Sequence, residues 1–118
     1  MRTCARSSIP SVVFTLPPIA AVGLLEEEAL TEGFEFDVHH KRTDQWYSSI
    51  RVAEPYTAFK TLIEKGSGRI LGAHVLGPGA EEQINLFAMA MGAGMTANRM
   101  KGVIFAYPSF ASDLSSMV

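Results

Sequence analysis

The sequence predicts an α+β domain in which helices cover one face of an antiparallel β-sheet. Short runs rich in β-branched and aromatic residues occupy the first two thirds of the chain, and a glycine-rich spacer joins the last two of them as a hairpin. The longest helical pattern comes only after these runs. With 118 residues and 47% hydrophobic content, the chain is long enough to bury a core of its own.

Two short strands and a helix are predicted at the start of the chain. Residues 11–15 lie between prolines and have the composition of a strand, and residues 19–22 form a second apolar segment. Residues 24–32 carry three successive glutamates, which are favoured at the positive end of a helix. Gly33 then supplies a residue that can end the helix in a left-handed conformation.

The middle of the chain is predicted to hold three more strands. Residues 34–40 alternate between apolar and polar side chains, as a half-buried strand does. Residues 41–54 are interpreted as a connection with room for a helical turn. Residues 56–64 and 69–76 have the composition of strands, and the spacer of residues 65–68 between them indicates an antiparallel hairpin.

The clearest helix spans residues 80–91. Its apolar side chains recur at helical spacing, and others such as Met89 widen the apolar face beyond a single stripe. A helix of this kind is usually buried on more than one side, by its own sheet alone or by its sheet and a second subunit. Residues 96–102 are predicted to form a further helix with Thr96 as its N-cap, and residues 110–117 a last one.

The charge distribution and the cysteine content exclude several classes of function. The formal net charge is −2 and the basic residues are scattered, so no basic stripe is present to bind nucleic acid or a membrane surface. Cys4 is the only cysteine, so the chain has neither an intramolecular disulfide nor a cysteine pair for dithiol chemistry. A reducing cytoplasm is the expected location.

The N-terminal segment is separate from this domain. Residues 1–8 are predicted to be disordered or artificially added, and residues 9–118 to form the folded domain. A signal peptide is the alternative, because basic residues precede an apolar stretch from residue 9 to residue 25. Pro17 and Pro18 interrupt that stretch, and no uninterrupted apolar run approaches the ~20 residues of a membrane span.

No complete catalytic or metal-binding set is present in the sequence. The two glycine-rich turns lack the spacing of dinucleotide or P-loop motifs, and no serine lies in a nucleophile elbow. His39 and His40 are adjacent in a strand, so they face opposite sides and cannot bind one metal ion together. His74 is predicted to be a packed histidine of the sheet, and the paired glutamates are explained by helix starts.

Three segments, in order, resemble a known family. Residues 9–24 read Ile-Pro-Ser-Val-Val-Phe-Thr-Leu-Pro-Pro-Ile-Ala-Ala-Val-Gly-Leu. They are similar to the start of the dimerisation domain in the glutathione reductase, dihydrolipoamide dehydrogenase and mercuric reductase family. The hairpin of residues 59–74, followed by Gly77-Pro78, is similar to the family's second landmark, and the helix of residues 80–91, followed by Gly94-Met95-Thr96, to the third. The resemblance covers residues 9–118.

This resemblance to the pyridine nucleotide-disulfide oxidoreductase family implies a larger parent protein. Family members carry FAD and NAD(P) domains and a redox-active cysteine pair upstream, and this sequence contains none of these. The chain thus resembles a fragment, or a free-standing copy, of the last domain. By resemblance we expect a two-fold homodimer that forms through the sheet and the apolar helix with isologous contacts. No metal, cofactor or catalytic activity is expected in the chain alone.

The last family landmark is altered in this sequence. The family ends with His-Pro-Thr-x-x-Glu, in which the His exchanges protons with the thiols and the Glu orients it. The corresponding residues are Tyr107, Pro108, Ser109 and Ser112, with Asp113 one position later. Tyrosine has a reference pKa of about 10 and is a poor proton shuttle near neutrality, so no catalytic residue is assigned.

The resemblance places Tyr107 and Pro108 at the flavin of the partner subunit in a full-length dimer, and the sequence resembles a glutathione reductase-like branch that has Tyr-Pro here. A packed aromatic at an interface is the alternative for Tyr107. The predicted function is a dimerisation domain of an FAD-dependent NAD(P)H oxidoreductase, inactive alone. The alternative is a stand-alone homodimeric interaction protein that has lost its redox function.

Overall fold

The computed structural model describes residues 9–118, which form a five-stranded antiparallel sheet. Cys4 and the prediction for residues 1–8 lie outside the described residues. The strands stand in the order β1-β2-β5-β4-β3, and their bounds are β1 (Ser11–Val13), β2 (Ile19–Gly23), β3 (Phe36–Arg42), β4 (Ala58–Glu64) and β5 (Ile70–Leu76). The predicted hairpin of β4 and β5 is confirmed by their antiparallel pairing.

The helices of the described residues are short except for one. They are α1 (Glu26–Thr31), α2 (Tyr47–Arg51), α3 (Ala80–Gly92), α4 (Ala97–Lys101) and a terminal 3-10 helix (Ala111–Ser116). This order of elements confirms the predicted α+β class. Within residues 9–118 no helix combines the length and the apolar character that a membrane span requires.

The main hydrophobic core lies between one face of the sheet and α3. Alternate residues of the central strands meet residues three and four apart on the helix, because these are the periods at which strands and helices present one face. The C-terminal helices close the end of this core. Its buried members include Val22, Phe59, Ala73, Val75, Ile84, Phe87, Met100 and Leu114. The hydroxyl of Thr61 donates to the carbonyl of Met117 and ties the C-terminus to β4.

The opposite face of the sheet is partly covered by α1. Ala29 of α1 is buried against Leu62 and Leu71. Lys60 on the same face forms an ion pair with Glu26 of α1, with 3.1 Å between Nζ and Oε1. The segment before α1 approaches β5 closely enough that a Cβ at Gly72 would lie 2.2 Å from the carbonyl oxygen of Leu24.

Local sequence signals at the helix ends are confirmed. The first turn of α1 contains the three glutamates, and Glu28 accepts a 2.8 Å hydrogen bond from the backbone N–H of Leu25. Gly33 follows the helix with a φ of 85°. The Thr96 hydroxyl accepts from the N–H of Arg99 at 3.2 Å, so Thr96 is the N-cap of α4 as predicted.

Other boundaries differ from the prediction for identifiable reasons. The strand expected over residues 34–40 begins two residues later, because the N–H of Phe34 bonds to the Ala29 carbonyl at the end of α1. It extends to Arg42, and the connection after it contains α2. The last helix is of the 3-10 type, and its first turn includes a bond of 3.2 Å from the Asp113 N–H to the Phe110 carbonyl.

Candidate functional site

The loop between α4 and the 3-10 helix exposes large apolar side chains. Ile104 is 96% exposed and Tyr107 is 77% exposed, and Val103 also lies at the surface. Within residues 9–118 no hydrogen bond engages Tyr107. The peptide bond between Tyr107 and Pro108 is cis. Tyr107 and Pro108 of the altered family landmark are exposed, whereas Ser109 and Ser112 of the same landmark are half-buried.

Two serines close the turn that follows Pro108. The N–H of Ser109 donates to the Ser112 hydroxyl, and the N–H of Ser112 donates to the Ser109 hydroxyl, both at 3.2 Å. The Ser112 hydroxyl also donates to the Ser109 carbonyl at 2.6 Å. This reciprocal arrangement has the logic of a capping box. Ser112, which stands where the family has a Glu, is thus used within the turn.

Phe110 anchors the same turn to the body of the domain. Its ring lies against Gly79, where a Cβ would approach the ring to 2.8 Å. The guanidinium of Arg51 in α2 lies over the ring, 5.6 Å from its centroid. The Phe110 carbonyl accepts a 2.7 Å hydrogen bond from Nε2 of Gln83 in α3. Three elements therefore meet at this residue.

Asp113 is bound to α2 as well. Burial raises the pKa of its carboxyl above the ordinary value of 3.8, and a hydrogen bond from Ser48 and the charge of Arg51 offset this effect only in part. The carboxyl of Asp113 therefore contributes to the contact between α2 and the 3-10 helix. Sequence analysis noted Asp113 as a neighbour of the altered landmark but did not predict this contact.

Replacing Asp113 by asparagine is expected to change how stability depends on pH. Because the folded-state pKa is raised, the folded chain holds this proton more tightly than the unfolded chain. The stabilisation is complete below pH 3.8 and is lost as the pH rises through the folded pKa. The stability of Asp113→Asn relative to the unaltered chain should therefore rise over that interval, as measured by urea unfolding at a series of pH values.

A fall in the relative stability of Asp113→Asn over that interval would show that attraction to Arg51, and not burial, dominates at Asp113. If attraction to Arg51 outweighed burial, Asp113→Asn would be the less stable chain at neutral pH and would gain in relative stability on acidification.

The other sequence candidates do not form a site. His39 pairs with Thr61 and His40 with Lys60, so the two histidines face opposite sides of the sheet as predicted. No group of three potential metal ligands occurs in the described part of the chain. His74 is half-buried, with Nε2 3.3 Å from the Leu24 carbonyl oxygen, and burial lowers its pKa below 6.5. It is a packed histidine of the sheet, as expected.

The glycine turn before α3 is unsuited to a phosphate. The ring of Phe110 occupies the space beside Gly79 that a phosphate cradle would need. Glu81 and Glu82 lie in the first turn of α3, and their charges oppose an anion there. Oε1 of Glu81 is buried without a hydrogen-bond partner among residues 9–118.

Sequence reasoning missed Gln83 and Arg51. Gln83 was detectable in principle, since it is a polar residue on the helix face that also carries Ala80, Ile84 and Phe87. Arg51 gave no such signal, because its contact with Phe110 joins residues far apart in the chain.

Comparison with known proteins identifies the relatives of this domain. The family described as "Pyridine nucleotide-disulphide oxidoreductase, dimerisation domain" matches residues 9–118. An uncharacterized 19.7 kDa protein in a mercuric resistance operon of Staphylococcus aureus is 43% identical over 110 residues, which are 93% of this chain and 61% of that protein. Rat mitochondrial dihydrolipoyl dehydrogenase is 37% identical over 103 residues, which are 87% of this chain and 20% of that protein.

Solved structures agree with this relationship. The HOCl-induced flavoprotein disulfide reductase RclA from Escherichia coli superposes with a TM-score of 0.89 at 28% identity, over 95% of this chain and 26% of that one. This chain therefore spans between a fifth and about a quarter of the length of the reductases named here, and 61% of the shorter S. aureus protein. The fold, the family match and the ordered landmarks agree, and the chain belongs to the dimerisation-domain family of the pyridine nucleotide-disulfide oxidoreductases.

Proposed function

We propose that residues 9–118 are the dimerisation domain of an FAD-dependent NAD(P)H oxidoreductase and that the chain associates as a homodimer without catalytic activity of its own. The observation that carries this proposal is the loop that exposes Ile104 and Tyr107 while the turn after it is anchored to α2 and α3. Exposed apolar side chains on an ordered segment are typical of an interaction surface. A cytoplasmic location remains a proposal based on the single cysteine.

We expect the loop that carries Tyr107 to cover a flavin held by another chain, and we do not expect this chain to bind a dinucleotide itself. The filled space beside Gly79 and the acidic first turn of α3 do not fit the phosphates of FAD. The exposed Tyr107 and Pro108 do fit the flat face or edge of an aromatic ring held by another chain. When bound in the parent protein, FAD would supply the electron transfer. Tyr107 and Pro108 would limit access of water to it.

Tyr107 is proposed to act by position and packing, and not as an acid–base group. No imidazole takes its place elsewhere in the loop, and Ser112 is engaged within the turn. Asp113 is held by Ser48 and by burial between helices. The loop thus lacks the proton-exchange pair of the disulfide-reducing members. We propose that the electron acceptor is not a disulfide whose reduction needs proton transfer from this loop.

The interface proposal predicts a large effect at Ile104. In Ile104→Asp, a charge replaces a nearly fully exposed apolar side chain that the dimer would bury. The dimer dissociation constant should rise about thirtyfold, the equivalent of a hot spot of about 2 kcal/mol, as measured by sedimentation equilibrium. Leu30→Asp, at an exposed apolar position on α1, is the control and should leave the constant unchanged. Equal effects in both variants would count against this surface.

The flavin-facing role can be tested in a chimera in which residues 9–118 replace the dimerisation domain of the E. coli reductase that shares the fold. A tyrosine ring stacked near a flavin quenches its fluorescence, so Tyr107→Leu should brighten the bound flavin. Tyr47→Leu, on the exposed surface of α2, is the control. Unchanged flavin fluorescence in Tyr107→Leu would contradict the proposed position of Tyr107.

The second candidate is a stand-alone homodimeric protein without redox function. The S. aureus relative favours it, since that 19.7 kDa protein is far shorter than the reductases and this chain spans 61% of it. Both candidates require self-association, and they differ in whether the Tyr107 loop meets a flavin. A dimer of the chain combined with a chimera in which Tyr107→Leu changes nothing would favour this second candidate.

A further inference from the structure

Gln83 is a buried amide in an apolar environment. It is 4% exposed and lies on the face of α3 that packs Ile84 and Phe87 into the core. A buried amide without a partner would destabilise the fold, and an apolar residue of similar volume would fill this position without that cost. The hydrogen bond that this amide makes is therefore what a buried apolar residue at position 83 could not provide.

That hydrogen bond goes to the turn that follows Tyr107. Nε2 of Gln83 donates to the Phe110 carbonyl over 2.7 Å, across 27 positions of sequence. The Phe110 ring is at the same time fixed between Gly79 and the guanidinium of Arg51. Phe110 is thus held at its backbone and at its side chain by two different helices.

The anchored carbonyl lies only three residues after the exposed tyrosine. The reciprocal bonds of Ser109 and Ser112 close the turn that contains Phe110. We propose that Gln83 is a positioning residue that orders the Tyr107 loop, so that the loop is preformed before it meets its partner. This inference rests on the proposed flavin-facing role of Tyr107. Preformed loops bind with a smaller loss of conformational entropy.

Amide hydrogen exchange of the 118-residue chain tests this inference without a flavin or a reductase. In Gln83→Met, which keeps the side-chain volume but removes the donor, the amides of Ser109 and Ser112, which are hydrogen-bonded within the turn, should exchange about tenfold faster, the scale of one lost hydrogen bond. Amides of β4 and β5 should keep their protection. Acceleration spread equally over the loop and the central strands would show a merely structural role and would overturn the inference.

Gln83→Glu provides a matched variant of nearly the same shape. A protonated carboxyl can donate to the Phe110 carbonyl, and a carboxylate cannot. At each pH the exchange rate of the Ser109 and Ser112 amides is divided by the rate in the unaltered chain. This ratio should be near one in acid and should rise as the introduced carboxyl ionises. A ratio that stays near one over the whole pH range would overturn the inference.

These readouts are separate from those of the proposed function. If the loop loses order in Gln83→Met while the chain proves monomeric and the chimera shows no effect of Tyr107, the positioning role stands and the proposed function fails. If the loop keeps its order in both variants, the positioning role fails whatever the chain's association.

Discussion

Replacing Gly72 by alanine is expected to destabilise the domain by more than about 3 kcal/mol, which for a domain of this size approaches loss of folding. A Cβ at this position would lie 2.2 Å from the Leu24 carbonyl oxygen and 3.1 Å from its nitrogen. Both are backbone atoms, so no side chain can move aside. Relief would require β5 to separate from the segment that leads into α1, where the Leu24 N–H bonds to the Leu71 carbonyl at 2.9 Å.

Urea unfolding followed by circular dichroism measures this effect, and Gly102→Ala is its matched control. Gly102 has a φ of −84°, and the nearest atom to a Cβ there is the Arg99 carbonyl oxygen at 3.5 Å. Alanine fits that site, and the control should change stability by no more than about 1 kcal/mol. Comparable stability of Gly72→Ala and Gly102→Ala would contradict the close approach of β5 and α1.

The second large effect is expected at Phe87. Its side chain is fully buried in the core between α3 and the sheet, so Phe87→Ala would leave a cavity and lower the free energy of unfolding by about 3–5 kcal/mol. Met89 lies two residues after Phe87 on the same helix, and Met89→Ala is the control. Met89 is 67% exposed, and its truncation should cost less than about 0.5 kcal/mol.

The variants Phe87→Ala and Met89→Ala also test whether the exposed side of α3 takes part in the dimer. If the exposed side of α3 is covered by a second copy, Met89→Ala should weaken the dimer even though it leaves the monomer's stability nearly unchanged. If Met89→Ala destabilised the fold as much as Phe87→Ala, the orientation of α3 described above would be wrong. Unfolding at several protein concentrations separates the two effects, because dissociation depends on concentration.

Much of the fold could be predicted from the sequence because its signals are local. The glycine-rich spacer specified the hairpin of β4 and β5, the helical period specified α3, and Thr96 marked the start of α4. In each case the residues that carry the signal are neighbours in the chain. The family resemblance added the order of these parts, and the family match confirms it.

The face that α1 covers could not be predicted, since it depends on contacts between distant residues. Ala29 packs against Leu62, and Lys60 pairs with Glu26 across 34 positions of sequence. The glutamates of α1 predicted that the helix exists, but not where it packs.

In the candidate site too, the residues of a local motif could be predicted and the contacts between distant residues could not. The resemblance singled out Tyr107, Pro108 and Ser112 from their positions in a motif. The anchoring contacts of Phe110 with Gln83 and Arg51 were not predicted, because they join α3 and α2 to a turn far along the chain. A residue's place in a family motif indicated its role, and only the structure showed what holds it in place.

The central claim is that this domain associates with a second copy of itself, and its molar mass in solution tests that claim most directly. We would measure light scattering of the purified 118-residue chain over a wide range of concentrations. We expect a mass approaching twice the 12.8 kDa of the chain, with dissociation only on dilution. A mass of one chain at every concentration would contradict it and would leave the exposed loop without its proposed partner.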